Sequence, residues 1–148
     1  MTVRSFMVSA ALLCCAAAAG TAGPGQPGAH FIENWDANAD GRVTRTEAAE
    51  KRADLFYMFD QDEDGLLSPA EYDLFDATRA ADMQANAGGG RGPLKTVHEG
   101  LMRAFNDSDG NGSVSREEFL ARSDAWFDLV DRDGDGAITG ADFGARGN

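Results

Sequence analysis

The chain has 148 residues and is strongly acidic, with 25 Asp and Glu against 13 Lys and Arg, a net charge of −12 and a pI near 4.4. Its length predicts one domain of ordinary size or two very small ones, and a hydrophobic content of 43%, with nine Phe and two Trp, is too high for a disordered acidic tail. Nucleic acids and anionic lipids are bound mainly through Lys and Arg, so the charge argues against both as partners and favours cations.

Residues 1–22 have the layout of a secretory signal peptide. Arg4 precedes an apolar run over 6–19, and small residues follow, so cleavage is expected after Ala19 or Ala22. The run of about 14 residues is shorter than the ~20 that span a bilayer, so we expect no stable membrane insertion. We therefore expect an exported protein, either periplasmic or secreted.

Two cysteines inside this segment raise the question of a lipid anchor. Acylation would need a cysteine placed after the apolar run and preceded by Leu and then small residues, whereas Cys14 directly follows Leu13. We therefore expect no lipid anchor. Removal of the segment would leave a mature chain without cysteine, and so without disulfides or thiolate zinc sites.

Two stretches rich in Gly divide the remaining chain. Residues 23–28 are interpreted as a flexible leader, and a Gly-rich turn over 86–93 separates two halves, 29–85 and 94–148. We expect these halves to form one domain over 29–148.

A twelve-residue pattern occurs four times, and we name the copies loops 1 to 4. They read DANADGRVTRTE from Asp36, DQDEDGLLSPAE from Asp60, DSDGNGSVSREE from Asp107 and DRDGDGAITGAD from Asp131. Each copy has an acid at positions 1 and 12, Asp or Asn at 3 and 5, Gly at 6, an aliphatic residue at 8, and Ser or Thr at 9. The match to D-x-[DN]-x-[DN]-G-x5-E is complete in the first three copies, and only Asp142 departs in the fourth. The pattern resembles the calcium-binding loop of the EF-hand superfamily, and the resemblance covers residues 29 to 144.

The resemblance implies a calcium site in each loop, hence up to four ions. Calcium takes six to eight oxygen ligands at about 2.3–2.6 Å. In the family pattern, positions 1, 3 and 5 supply side-chain oxygens, position 7 a carbonyl oxygen, position 9 often a water, and position 12 two carboxylate oxygens. The candidate ligands are Asp36, Asn38, Asp40, Arg42, Thr44 and Glu47; Asp60, Asp62, Asp64, Leu66, Ser68 and Glu71; Asp107, Asp109, Asn111, Ser113, Ser115 and Glu118; and Asp131, Asp133, Asp135, Ala137, Thr139 and Asp142.

Loop 4 differs at its last position. The carboxylate of Asp142 is one methylene shorter than that of Glu, so we expect it to reach a calcium ion less easily. Loop 4 is therefore predicted to bind calcium more weakly and to tolerate Mg²⁺, which prefers six closely held ligands.

The ends of the loops also contain signals that begin helices. Capping-box patterns occur at Thr44 with Glu47, Ser68 with Glu71, and Ser115 with Glu118. Pro69 adds a favourable first helical residue. Metal binding and helix initiation would use the same groups, so occupancy is expected to be coupled to folding.

The loops start only 24 residues apart within each half, which leaves 48–59 and 119–130 between them. One helix fits in each interval, whereas classical paired EF hands are joined by two. Apolar residues recur there at helical spacing and are predicted to lie in the core: Leu55, Phe56 and Phe59, then Trp126, Phe127 and Val130. The predicted fold is all-α, with four helix–loop–helix units, helices shared between loops 1 and 2 and between loops 3 and 4, and short β-bridges between paired loops.

A shared helix of about 15 residues would hold its two loops roughly 20 Å apart, too far for a bridge. We therefore predict that loop 2 pairs with loop 3, Leu67 against Val114, and loop 1 with loop 4, Val43 against Ile138.

Four further helices are predicted from the same pattern. They run from about Ala29 to Trp35, from Pro69 to Asn86 and from Leu94 to Phe105, and a last one has barely two turns before the final residue. Asn106 stands directly before loop 3, where an apolar residue is usual. This residue indicates that the packing of the helix that enters loop 3 is shifted.

Two functions are compatible with these loops. One is a buffer or calcium-stabilised module; the other is a sensor that exposes an apolar groove to a protein partner. Sensors use Met-rich grooves. The mature chain has only three methionines, Met58, Met83 and Met102, which favours the buffer.

Enzymatic activity is not expected. The chain has no Ser/His/Asp arrangement, phosphate-binding Gly loop or basic stripe. His30 and His98 have no Cys or His neighbour and are interpreted as surface residues rather than zinc ligands.

Overall fold

The computed structural model describes residues 28–86 and 93–144, most of which are helical. The predicted signal peptide, nearly all of the leader and most of the Gly-rich turn lie outside the described residues. Within the described ranges, no helix is both long enough and apolar enough to cross a bilayer. The elements are α1 Ala29–Trp35, α2 Arg45–Phe59, β1 Leu66–Leu67, α3 Pro69–Asn86, α4 Pro93–Glu99, α5 Arg103–Asn106, β2 Val114–Ser115, α6 Arg116–Ala121, α7 Ser123–Val130 and α8 Gly140–Phe143.

The helix that follows each loop begins at a hydrogen-bonded cap. The cap residues are Thr44, Ser68 and Ser115. Each hydroxyl oxygen accepts a hydrogen bond from the backbone N–H of the Glu three residues later. The carboxylate of that Glu in turn accepts the backbone N–H of the cap residue. The three predicted capping boxes are therefore confirmed. Thr139 and Asp142 form a fourth, unpredicted capping box at the start of α8.

Only the first of the two shared helices is continuous. Helix α2 leads directly from loop 1 into loop 2, as predicted. The second is interrupted at Arg122, so the prediction of one helix between loops 3 and 4 is wrong. Nη2 of Arg52 donates to the carbonyl oxygen of Phe119 at 2.7 Å, and in a continuous helix that oxygen would accept the N–H of Ser123. A side chain inserted into the helical hydrogen bonds is a recognised cause of such breaks.

The predicted helix over 94–105 is also wrong as a single element. It consists of α4 and α5, separated by a turn that begins at Gly100. Gly100 packs so closely against Trp126 that an added Cβ would lie 2.2 Å from Trp126 Cδ1. Only glycine fits this approach, and glycine weakens a helix interior.

The predicted pairing of the loops is confirmed. Strands β1 and β2 are antiparallel, with Leu67 opposite Val114. Val43 and Ile138 form a separate antiparallel bridge, with N–H to carbonyl distances of 2.8 and 2.9 Å. All four side chains are fully buried. The two halves of the chain are therefore joined loop to loop.

Aromatic side chains from both halves form the core. Trp35 stacks on Trp126 with ring centroids 4.5 Å apart, and Phe56 lies 5.8 Å from Phe119. Phe31 and Phe143, near the two ends of the described chain, lie 5.2 Å apart. Five of the residues predicted for the core are buried: Phe56, Phe59, Trp126, Phe127 and Val130. The sixth, Leu55, is partly buried and packs against the edge of the core.

Candidate metal centre

Each loop curls around the carboxylate of its first residue. Oδ2 of that residue accepts the backbone N–H of the glycine at position 6, at 2.7–3.0 Å, in the pairs Asp36 with Gly41, Asp60 with Gly65, Asp107 with Gly112, and Asp131 with Gly136. The sharp turn needs positive φ, 90° at Gly112 and 88° at Gly136, which disfavours any residue with a Cβ. All four copies therefore have the same local conformation.

Three loops bring their carboxylates at positions 1, 3 and 12 together. In each, one oxygen of every carboxylate lies within 4.8 Å of the others, in the groups Asp60–Asp62–Glu71, Asp107–Asp109–Glu118 and Asp131–Asp133–Asp142. Like charges this close repel one another, and oxygen-rich clusters of this kind suit a hard divalent cation.

Loop 1 has a neutral oxygen donor, Asn38, at position 3. Its closing residue is still placed inward: Glu47 is 8% exposed. Oε2 of Glu47 accepts the N–H and hydroxyl of Thr44, whereas Oε1 is buried without a hydrogen-bond partner in the part of the chain that the structure describes. A buried carboxylate oxygen without a hydrogen-bond donor destabilises the folded state, and a bound cation would remove this cost.

The closing glutamates of loops 2 and 3 are held by hydrogen bonds. Oε2 of Glu118 accepts from Ser115, while Oε1 accepts the hydroxyl of Ser108 at 2.8 Å. The backbone N–H of Ser115 and the two serine hydroxyls lower the pKa of Glu118 to about 2. Burial raises the pKa of Glu71, but hydrogen bonds from Ser68 and from the backbone N–H groups of Gln61 and Asp62 together outweigh it and lower that pKa overall. Both carboxylates are thus ionised at neutral pH, as ligands must be.

Positions 5, 7 and 9 have structural roles in every loop. Oδ1 of the residue at position 5 accepts the N–H at position 7, at 2.8–2.9 Å, in the pairs Asp40 with Arg42, Asp64 with Leu66, Asn111 with Ser113, and Asp135 with Ala137. The position-9 hydroxyls are the helix caps described above. The position-5 carboxylates are not members of the three clusters.

In loop 4 the shorter side chain of Asp142 still reaches the cluster. It is buried, and Oδ1 accepts the N–H of Arg132 at 2.8 Å while Oδ2 accepts that of Thr139 at 2.8 Å. The expectation that Asp142 reaches a cation less easily concerns a bound ion and stays a prediction.

Two residues at position 2 of their loops were not predicted as part of the site. Ser108 binds Glu118 as described, and Nη1 of Arg132 donates to the carbonyl oxygens of Asp142 and Gly144 at 2.6 and 3.2 Å. Position 2 is unrestricted in the pattern, so no signal in the sequence marks them.

An apolar cleft lies apart from the loops. It has a volume of about 270 Å³ and is lined by side chains of α1, α2, α3 and α4, among them Leu55, Met58, Met83, Leu94 and Val97. His30 and His98 also line it and are partly exposed; His30 Nε2 is 3.1 Å from Asp82 Oδ1. Burial and the neighbouring Arg79 guanidinium lower the pKa of His98.

Comparison with curated proteins and with solved structures found no match. The family model described as EF hand matches two segments, residues 53–76 and 124–145. These segments contain loops 2 and 4, each with a carboxylate cluster and a capping box. The chain therefore contains two segments that match the EF-hand calcium-binding superfamily.

Proposed function

We propose that the protein binds calcium through all four loops, outside the cytoplasm, as a buffer or calcium-stabilised module. The observation that carries this proposal is the convergence of three carboxylates, within 4.8 Å of one another, in loops 2, 3 and 4. Each cluster lies beside a helix cap that shares its closing carboxylate.

The charge of the chain supports the same function. Fourteen of the 25 acidic residues occupy candidate ligand positions. Bound calcium would supply the positive charge that these clusters lack. The carboxylates would then stabilise the folded chain instead of repelling one another.

Loops 1 and 3 lie outside the matched segments, so their assignment rests on geometry. Each repeats the hydrogen bonds around the first carboxylate and the cap at position 9. Each is also joined through position 8 to a loop inside a matched segment. Loop 1 adds Oε1 of Glu47, which has no hydrogen-bond partner within residues 28–86 and 93–144. Both have one Asn among their ligand positions, and so one carboxylate fewer than loops 2 and 4.

Loop 4 is proposed to be the weakest calcium site and the one open to Mg²⁺. Asp142 accepts hydrogen bonds through both oxygens, from Arg132 and from Thr139. Glu71 and Glu118 are also held through both oxygens, so what sets Asp142 apart is its side chain, one methylene shorter, which suits a single oxygen ligand. Mg²⁺ uses fewer ligands than calcium and holds them at 2.0–2.1 Å.

Export is proposed from the pattern of residues 1–22. Extracellular calcium modules commonly have dissociation constants of about 10⁻⁴–10⁻³ M. Sites in that range would be filled most of the time, which agrees with a stabilising role.

Calcium titration by calorimetry tests the proposal and is expected to give four sites in the wild-type chain. In the Glu71→Gln variant, the calcium affinity of loop 2 should be at least tenfold weaker, because position 12 supplies two of the oxygen ligands. In a parallel calcium titration with Mg²⁺ present, we expect Mg²⁺ to compete with calcium at loop 4 alone.

Glu63→Gln is the matched control for this experiment. It removes the same charge from the same loop, but Glu63 is at position 4, which supplies no ligand in the pattern. Equal losses in the two variants would show that bulk charge, not coordination, governs binding. A wild-type chain that takes up no calcium would refute the proposed function.

The apolar cleft favours a second candidate function, a calcium sensor. Met58 lines it and is 62% exposed, so it is available to a protein partner. The buffer predicts equal retention on a phenyl matrix with calcium and with chelator. A sensor would show calcium-dependent retention that Met58→Gln reduces and Met102→Gln, outside the cleft, leaves unchanged.

A further inference from the structure

Arg52, in the middle of α2, is fully buried. Among the described residues its hydrogen-bond partners are all neutral: Nε donates to Ser123 Oγ at 3.1 Å, Nη1 to the Gly100 carbonyl oxygen at 3.4 Å, and Nη2 to Asn106 Oδ1 and the Phe119 carbonyl oxygen. The guanidinium also lies over the Phe119 ring, 4.2 Å from its centroid. Burial lowers the pKa of Arg52 to about 10, so the side chain stays charged at neutral pH. A buried cation without a carboxylate partner is costly, so its placement needs an explanation.

The partners of Nη2 stand at the two ends of loop 3. Asn106 directly precedes Asp107, the first candidate ligand, and Phe119 directly follows Glu118, the last. Both acceptor oxygens lie 2.7 Å from the same nitrogen. One nitrogen of α2 is therefore hydrogen-bonded to residues at both ends of loop 3.

Asn106 is held from both of its amide atoms and is fully buried. Its Nδ2 donates to the Tyr72 hydroxyl at 3.1 Å and to the Met102 carbonyl oxygen at 2.9 Å. An apolar residue at this position could not accept from Arg52. The unusual residue before loop 3 is thus explained by the guanidinium that it receives.

The same contacts reach the neighbouring loops. Tyr72 directly follows Glu71, which closes loop 2, and Ser123 begins α7, which leads into loop 4. Arg52 itself lies on the helix between loops 1 and 2. However, among the hydrogen bonds that Arg52 makes with the described residues, those to loop 3 reach both of its ends, and those to the other loops do not.

We propose that Arg52 is a positioning residue for loop 3, which holds Asp107 and Glu118 at the separation that calcium binding requires. This inference rests on the proposed function. It makes the calcium affinity of a loop in the second half depend on a side chain from the first half.

A purely structural role for Arg52 makes a different prediction. A residue needed only for core stability would affect all four loops alike, because all four are anchored on the same core. A clamp on loop 3 would weaken that loop selectively. A measurement resolved by loop distinguishes the two.

The experiment is a calcium titration of the purified chain, followed by the NMR amide signals of Gly41, Gly65, Gly112 and Gly136. Each of these N–H groups donates to the first carboxylate of its own loop, so each reports on one site. Arg52→Lys keeps the charge but replaces the fork with a single ammonium group that cannot reproduce its geometry. We expect the midpoint at Gly112 to rise about tenfold, the order found for supporting residues around metal ligands, and the other three less than threefold.

Arg45→Lys is the matched control. Arg45 lies on the same helix and pairs with Asp124 and Asp128 of α7, but at the surface. Because Arg45 lies inside loop 1 and not in loop 3, its replacement should change the midpoint at Gly112 by less than about twofold, as expected of an exposed ion pair.

A uniform shift of the four signals in Arg52→Lys, or no larger shift at Gly112, would overturn the inference. If this variant does not fold in saturating calcium, Asn106→Ala replaces it, since it removes one end of the clamp and keeps the guanidinium; the same selective shift is expected. Failure of both variants to fold in calcium would make the two residues general folding requirements and overturn the proposal. A wild-type Gly112 signal that ignores calcium would contradict the proposed function at loop 3, and the inference would fall with it.

Discussion

Removal of calcium with a chelator is expected to unfold much of the protein and to lower its melting temperature more than most single substitutions. A ligand that binds only the folded state adds about 2.7 kcal/mol of stability at 100 times its dissociation constant and about 4.1 at 1,000 times. Domains of this size have only about 5–15 kcal/mol in total. The loss follows from structure, because three loops hold three carboxylates each within 4.8 Å and would repel when empty.

Thermal unfolding followed by far-ultraviolet circular dichroism, with chelator and with calcium, measures this effect. Chelator saturated with calcium beforehand is the control, since it adds the same anion without removing the ion. An unchanged helical signal and melting temperature after chelation would contradict the account.

Trp126→Ala is expected to destabilise the calcium-loaded protein by about 3–5 kcal/mol, the range for large-to-small core changes. Trp126 is fully buried, stacks on Trp35, and donates from Nε1 to the Val97 carbonyl oxygen at 3.2 Å. Its indole ring also fills the space that a Cβ at position 100 would need. Its loss would leave a cavity where α1, α4 and α7 meet.

Urea unfolding in saturating calcium measures this change. Leu129→Ala is the control: it removes an apolar side chain from the same helix, but one that is 46% exposed, so it should change stability by less than about 0.5 kcal/mol. Similar losses for the two variants would show that the site is not the centre of the core.

The loops and their pairing were predictable because the signals are local. The ligand pattern, the caps at Thr44 and Ser115 and the aliphatic residue at position 8 each lie within one twelve-residue stretch. The short interval between loops then allowed only the pairing of Val43 with Ile138 and of Leu67 with Val114, and the structure has both.

The interrupted helices were not predictable because their causes lie far away in the chain. The segment around Arg122 has ordinary helical spacing, and the break depends on Arg52, 67 positions before the carbonyl that it binds. Likewise, nothing beside Gly100 in the sequence indicates that Trp126 packs onto it. Periodicity reports which face of a helix is buried, not which distant side chain enters it.

The pairing of the loops is nested, with the bridge from Val43 to Ile138 enclosing the sheet of β1 and β2. The first and last helices consequently meet, as the contact of Phe31 with Phe143 shows. A truncation that reaches into loop 1 or loop 4 would therefore remove one member of the outer pair and leave the other without its bridge. In this arrangement, damage to one of the two outer loops endangers both of these candidate calcium sites, although they lie far apart in the sequence.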